Sequence, residues 1–212
     1  MTAIRLTTMT VLMLAGLAAT SAQAADAGPY DYLAARYTLL GDYSRGNSDG
    51  DVTGLGLEGS KSINDTAFLH ITSDMYDVDI DGSSSDAAID LFSVGPGVHV
   101  PLNTGSTPVD LWGAVNYQRL GVLGAASSGL GLDIGVRARF SNRLEGSFTF
   151  TTASTESGNR DIDLDRWVLG VAWAASPQFD VTGSLVNADF GIQNAQDIEL
   201  DNLIRVGVRF PF

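Results

Sequence analysis

The chain has no cysteine among its 212 residues. That removes disulfides and thiolate metal sites, devices that small exported proteins often use when their core is thin. Basic residues are scarce: 12 Lys and Arg stand against 25 Asp and Glu, for a formal net charge of −13. Nucleic acid demands clustered Lys and Arg and is excluded as a partner, whereas cations and basic surfaces become suitable company. Beyond the first residues, no apolar run approaches the ~20 residues that a membrane-crossing helix needs. What is plentiful is glycine, at 24 residues, interleaved with short apolar stretches that read as strands and turns.

The two ends carry the most information. Arg5 gives a short positive region, residues 10–19 an apolar stretch, and Ala22-Gln23-Ala24 a small-residue cleavage site. Residues 1–24 are therefore expected to be an export signal, cleaved before Ala25. At the other end, Ile204, Val206, Val208, Phe210 and Phe212 share one face under period two, opposite Leu203, Arg205, Gly207, Arg209 and Pro211. Such an apolar edge invites aggregation unless another strand covers it, and closure into a barrel provides that cover.

Similar alternation recurs along the chain, over residues 30–40, 52–61, 66–78, 88–100, 109–119, 130–140, 144–152, 164–174 and 179–190. Each segment is near the length of a tilted bilayer crossing. Short turns alternate with longer polar loops, expected at 41–51, 79–87, 124–128, 154–163 and 191–197. Pro96 inside the fourth segment points to a bulge or distortion, because proline cannot donate to a ladder.

The terminal strand resembles the C-terminal strand of Gram-negative outer-membrane β-barrel proteins, and the whole mature chain resembles small single-chain barrels of the OmpA-barrel and porin-like kind. The resemblance implies an all-β fold over residues 25–212: a closed, antiparallel, up-and-down transmembrane β-barrel of about ten strands, with eight as the alternative. It implies residence in the bacterial outer membrane, and lipid and lipopolysaccharide as surroundings. It also makes Val206, Val208, Phe210 and Phe212 a signal for the barrel-assembly machinery. A soluble periplasmic barrel or sandwich is the competing fold, and the repeated apolar outer faces argue against it.

Three motifs suggest chemistry. Gly54-Leu55-Gly56-Leu57-Glu58-Gly59 matches the dinucleotide fingerprint in letters only. It lies inside an alternating segment with no helix after it, so the phosphate-binding helix terminus is missing. Asp77, Asp79 and Asp81, followed by Gly82, resemble the start of a calcium loop, but Ala88 stands where the bidentate Glu belongs. Weak Ca²⁺ or Mg²⁺ binding at extracellular loops is the expectation there, and no other cofactor. His70 has Thr72 and Asp74 as same-face neighbours but no serine two residues on, as a barrel deacylase would require. The chain is thus read as a non-enzyme, with a rim-located enzyme the remaining reading of that histidine.

The alternation also assigns a polar inner face: Arg36, Glu58, His70, Asp74, Asp110, Asp133, Arg137, Arg139, Glu145, Arg205 and Arg209. Charges facing a narrow lumen are costly unless paired or hydrated, so an ion-pair network is expected. Arg205 and Arg209 are expected to partner Glu58, Asp110 or Asp133. The functional expectation is a structural or surface-interaction barrel with acidic extracellular loops and a mostly plugged lumen. The alternative is a narrow channel for small solutes.

Overall fold

The computed structural model describes residues 29–83, 87–104, 107–157 and 160–212. The expected leader and its cleavage site lie outside them, as do residues 84–86 of the acidic loop. Ten antiparallel strands follow one another: β1 (Tyr32–Arg45), β2 (Ser48–Ser62), β3 (Ala67–Ile80), β4 (Ala87–Thr104), β5 (Thr107–Val122), β6 (Ala125–Ser141), β7 (Leu144–Ser157), β8 (Arg160–Ala174), β9 (Asp180–Ile192) and β10 (Ile198–Pro211). Each pairs with its sequence neighbours, and β10 closes on β1 through Leu33↔Phe210 and Tyr37↔Val206. The barrel is closed, with ten strands rather than eight, and no edge is left to aggregate. The start of β1 and Phe212 lie at one end, here called the near end.

Most strands run further than the sequence suggested. The expected loop at 41–51 is largely strand, turning only at Gly46 and Asn47, and that at 124–128 gives way to a turn at Leu123-Gly124. Leu123 and Gly124 have φ of 50° and 83°, the paired positive values that a two-residue hairpin turn requires. The expected loop at 154–163 contracts too, since β7 reaches Ser157 and β8 begins at Arg160.

The extra length obeys period two with its polarity reversed. Along most of the wall the outer face is apolar: Tyr37, Leu69, Val115, Ile134, Leu169 and Ile204 are 43–56% exposed. A belt of that extent is what a bilayer would cover. Toward the far end the outer positions become acidic, with Asp51, Asp77, Asp79, Asp163, Asp189 and Glu199 exposed. The inner positions there become apolar, and Val52, Ile89, Leu120, Phe190, Leu200 and Leu203 are all 0% exposed. A wall with acid outside and hydrocarbon inside suits water on its outer face, so the reversal marks where the wall leaves the apolar belt.

Pro96 causes no bulge. It faces outward, and the β4–β5 pairing passes from Val94↔Tyr117 to Gly97↔Ala114 without changing register. The irregularities fall instead around β1 and β10, with one more between Arg139 and Ser141 where β6 meets β7. Pairing of β10 with β9 shifts between Leu200 and Leu203, and Asn202 adopts φ 53°. That extra residue turns both Leu200 and Leu203 inward although they are three apart.

Candidate functional site in the barrel lumen

The lumen is layered. At the far end the apolar side chains of all strands except β6 converge into one cluster that includes Tyr43, Val78, Leu91, Ala153, Ile162, Leu164 and Ile198. At the near end Tyr30, Phe68, Trp112 and Ala114 form a second, smaller cluster. Between them lies the charged layer.

Two groups of charges occupy that layer. Asp74 on β3 accepts from Arg205 of β10 at 3.1 Å and pairs with Arg166 of β8 at 2.8 Å. Glu58 on β2 pairs with Arg36 and accepts from the Tyr32 hydroxyl. His70 Nε2 stands 3.4 Å from Glu58, and its Nδ1 stands 3.9 Å from Asp133. Asp133 in turn accepts from the Asn116 amide at 2.6 Å. Nearer the termini, Arg209 binds Glu145 at 2.6 Å and Asp180 at 2.7 Å, with Arg137 3.5 Å from Glu145. His99 faces Asp110 at 3.1 Å.

Small residues make room for these side chains. A Cβ at Gly56 would lie 2.4 Å from the Asp74 carboxylate, and one at Gly135 would lie 2.3 Å from Trp112 Nε1. The glycines of the fingerprint-like run thus belong to a strand whose inner face accommodates Asp74.

The mouth at the near end is held by the N-terminal residues. The Tyr30 ring stacks on Phe68 with centroids 4.2 Å apart and lies 4.5 Å from His99. The Arg137 guanidinium sits 4.7 Å from the Tyr30 centroid and donates to the Pro29 carbonyl. Between this aromatic cluster and the apolar far end remains a cavity of about 120 Å³, lined among others by Glu58, His70, Asp74, Asp133 and Arg166.

Ten of the eleven expected lumen residues therefore lie in ion pairs or hydrogen bonds inside the barrel, nine of them with one another and Asp110 with His99. Arg139 does not: it is exposed near the end of β6, at the barrel's near end. The expected partners of the terminal arginines also differ, since Arg205 takes Asp74, and Arg209 takes Glu145 and Asp180. Arg166, Asp180, Tyr32 and Asn116 were missed. Their signal was present, because Trp167, Leu169, Val171 and Trp173 outside place Arg166 inside. Asp77 and Asp79 sit two apart on the outer face of β3 with Asp81 just beyond, so their carboxylates spread along a strand instead of converging. Among the described residues no group of three or more His, Cys, Asp or Glu is placed to hold a metal ion.

Residues 9–174 match the model of the outer membrane protein beta-barrel domain family. The chain belongs to that family. Solved structures similar to it include Neisserial surface protein A, at 17% identity and a TM-score of 0.41, covering 85% of this chain and 96% of that one. The translocator domain of autotransporter NalP from Neisseria meningitidis is similar at 13% identity and a TM-score of 0.44, covering 96% of each chain. OprG from Pseudomonas aeruginosa is similar at 12% identity and a TM-score of 0.34, covering 86% of this chain and 96% of that one. No curated protein matches the sequence.

Proposed function

We propose that this protein is a closed, non-conducting outer-membrane barrel that acts through its outer surface, exported by residues 1–24 and inserted through its C-terminal strand. The observation that carries this reading is the apolar layer at the far end of the lumen, where Val52, Ile89, Leu120, Phe190, Leu200 and Leu203 are 0% exposed. An ion entering there would shed its hydration shell against hydrocarbon, a cost of many kcal/mol. The charged layer beneath ties opposite walls together, and the Tyr30 cluster covers the near mouth. The working surface is then the acidic outer wall of the far end, suited to basic or cation-bridged partners such as lipopolysaccharide. No catalytic role is assigned to His70, which is 7% exposed and faces carboxylates on both sides.

Planar-bilayer recording of the refolded full chain tests this reading. A silent bilayer is expected from the native protein, and discrete openings after Leu120, Leu200 and Leu203 are all replaced by Ser. Discrete openings from the native protein would overturn it. They would favour a narrow channel, for which the mid-lumen cavity of about 120 Å³ is the supporting feature.

A further inference from the structure

In the charged layer Glu58, Asp74, Glu145 and Asp180 each pair with an arginine. Asp133 does not. It is 4% exposed, yet among the described residues it forms no ion pair with an arginine or lysine, and the His70 Nδ1 stands 3.9 Å from its Oδ2. That same oxygen accepts from the Asn116 amide at 2.6 Å, while Oδ1 has no hydrogen-bond partner in the protein. A confined carboxylate is costly without a compensating cation, so this one calls for a partner from outside the chain.

The atoms around it are left over as well. His70 Nδ1 and Ser93 Oγ have no hydrogen-bond partner, and both residues are buried, at 7% and 5% exposure. His70 Nε2 faces the Glu58 carboxylate at 3.4 Å; that contact keeps the ring proton on Nε2 and leaves Nδ1 as an acceptor. His70 on β3, Ser93 on β4 and Asp133 on β6 line the same mid-lumen cavity of about 120 Å³. Trp112 lines it too, edge-on to His70 with ring centroids 5.8 Å apart. One corner of the cavity therefore offers a carboxylate, two neutral acceptors and an aromatic ring.

We propose that this corner binds the primary ammonium group of a small organic solute that enters from the near end. The three N–H donors meet Asp133 Oδ1, His70 Nδ1 and Ser93 Oγ, and the short alkyl part lies against Trp112. An imidazole nitrogen among the acceptors selects an N–H donor over a hard metal cation, which takes oxygen ligands. At ~10–15 Å³ for each water-sized group, the cavity takes a solute of a few heavy atoms together with some water. Entry follows from the unequal seals. The far-end cluster is built on strands paired on both sides, whereas Tyr30 precedes β1 and is held in the near mouth by stacking on Phe68 and by Arg137. Swinging Tyr30 aside breaks no ladder bond and leaves the far-end seal shut, so the site does not depend on what the outer surface does.

The chain has three tryptophans, and Trp167→Phe with Trp173→Phe leaves Trp112 as the sole reporter. Fluorescence of this full-length protein, refolded in detergent, is titrated with ethylammonium chloride. Sodium chloride controls for ionic strength, and propionamide for shape without charge. A saturable change with ethylammonium alone is expected. Asp133→Asn, which keeps the side-chain shape, should weaken it by about tenfold, and Ser93→Ala by less. Tyr30→Ala should speed its onset severalfold after rapid mixing. Heat-modifiable gel migration establishes that each variant is folded. The proposal is overturned if neither the reporter protein nor its Tyr30→Ala variant gives a saturable response, if sodium does as well as ethylammonium, or if Asp133→Asn binds undiminished. A response that appears only after His70→Gln also overturns it, since the imidazolium is then the cation that Asp133 already has. An onset unchanged by Tyr30→Ala overturns entry from the near end. Bilayer conductance bears on the closed-barrel reading alone, so the two can fail separately.

Discussion

Arg205 on β10 donates to Asp74 on β3 at 3.1 Å, across a sequence separation of 131 residues, and it is among the largest fully buried side chains of the described residues. The bond spans the lumen between strands that never pair, so it fixes the cross-section of the barrel in a way the sheet ladder alone does not. Asp74 also pairs with Arg166 and thereby brings three strands to one point.

Asp74→Ala is consequently expected to cost about 3–5 kcal/mol of unfolding free energy, because it leaves two arginines without a carboxylate in a confined space. Replacing Asp74 and Arg205 together by Leu should recover part of that loss, since only Arg166 then lacks its partner. Urea unfolding of the refolded protein in detergent, followed by tryptophan fluorescence, measures both. A single variant as stable as the native chain would show that the charged layer is solvated and not structural.

The backbone at Asn202 gives a second expectation. Its φ of 53° lies in the left-handed region, where Asn is tolerated and β-branched residues are strained. Its amide also donates to Asn187 Oδ1 at 3.2 Å. Asn202→Val should cost about 1–3 kcal/mol, and Asn202→Gly less than about 1 kcal/mol. Equal stability of the two variants in the same urea assay would remove the backbone from the explanation.

These elements differ in how readily the sequence disclosed them. Membrane-facing segments were legible because apolar outer positions at period two have one meaning in a barrel: residues 130–138 and 204–212 were placed on the correct faces. The far-end extensions were legible only in part, as acidic runs that alternate like strands reaching beyond the membrane. Asp77-Val78-Asp79-Ile80 and Asp161-Ile162-Asp163-Leu164 have the same period with the acids outside, and their composition imitates a loop. Lumen membership followed from parity for ten of eleven residues, but partners did not. Asp74 and Arg205 both face inward, and their shared height depends on the stagger accumulated over the β1–β2 and β1–β10 pairings and on bulges whose only local trace is an Asn.

The closing strand supports a third expectation. Phe212 donates its N–H to the Asp31 carbonyl at 3.1 Å, and Lys61 Nζ stands 5.0 Å from its ring centroid. Deletion of Phe212 should reduce the folded, heat-modifiable fraction in outer membranes severalfold. Lys61→Ala, which loses that contact and an exposed ion pair with Asp31 at 3.0 Å, each worth only about 0.5–1 kcal/mol, should not. A similar reduction in both would mean that Phe212 matters through that contact and not as part of an assembly signal. Normal assembly of the deletion would contradict the signal reading altogether.

The acidic far-end wall makes stability depend on pH in an unusual direction. Partial burial, then Glu199, Asp201 and Asp165, raise the Asp189 carboxyl above its ordinary value; partial burial and Asp77 do the same for Asp90 against the pull of Arg119. A carboxyl raised in the folded state binds its proton more tightly there than in the unfolded chain. Its charge therefore penalises the fold at neutral pH, and the penalty is relieved as pH falls through the raised value, until the unfolded chain also takes up the proton. The native protein should accordingly gain stability from these two groups on mild acidification from pH 7 toward the upper carboxylate range, before protonation of the paired lumen acids reverses the trend. Asp189→Asn together with Asp90→Asn should be more stable than the native chain at pH 7, with the advantage shrinking as pH falls through that range. Unfolding midpoints of the two proteins across pH 7 to 4 decide the matter: a constant difference between them would show that the like-charged acids do not interact.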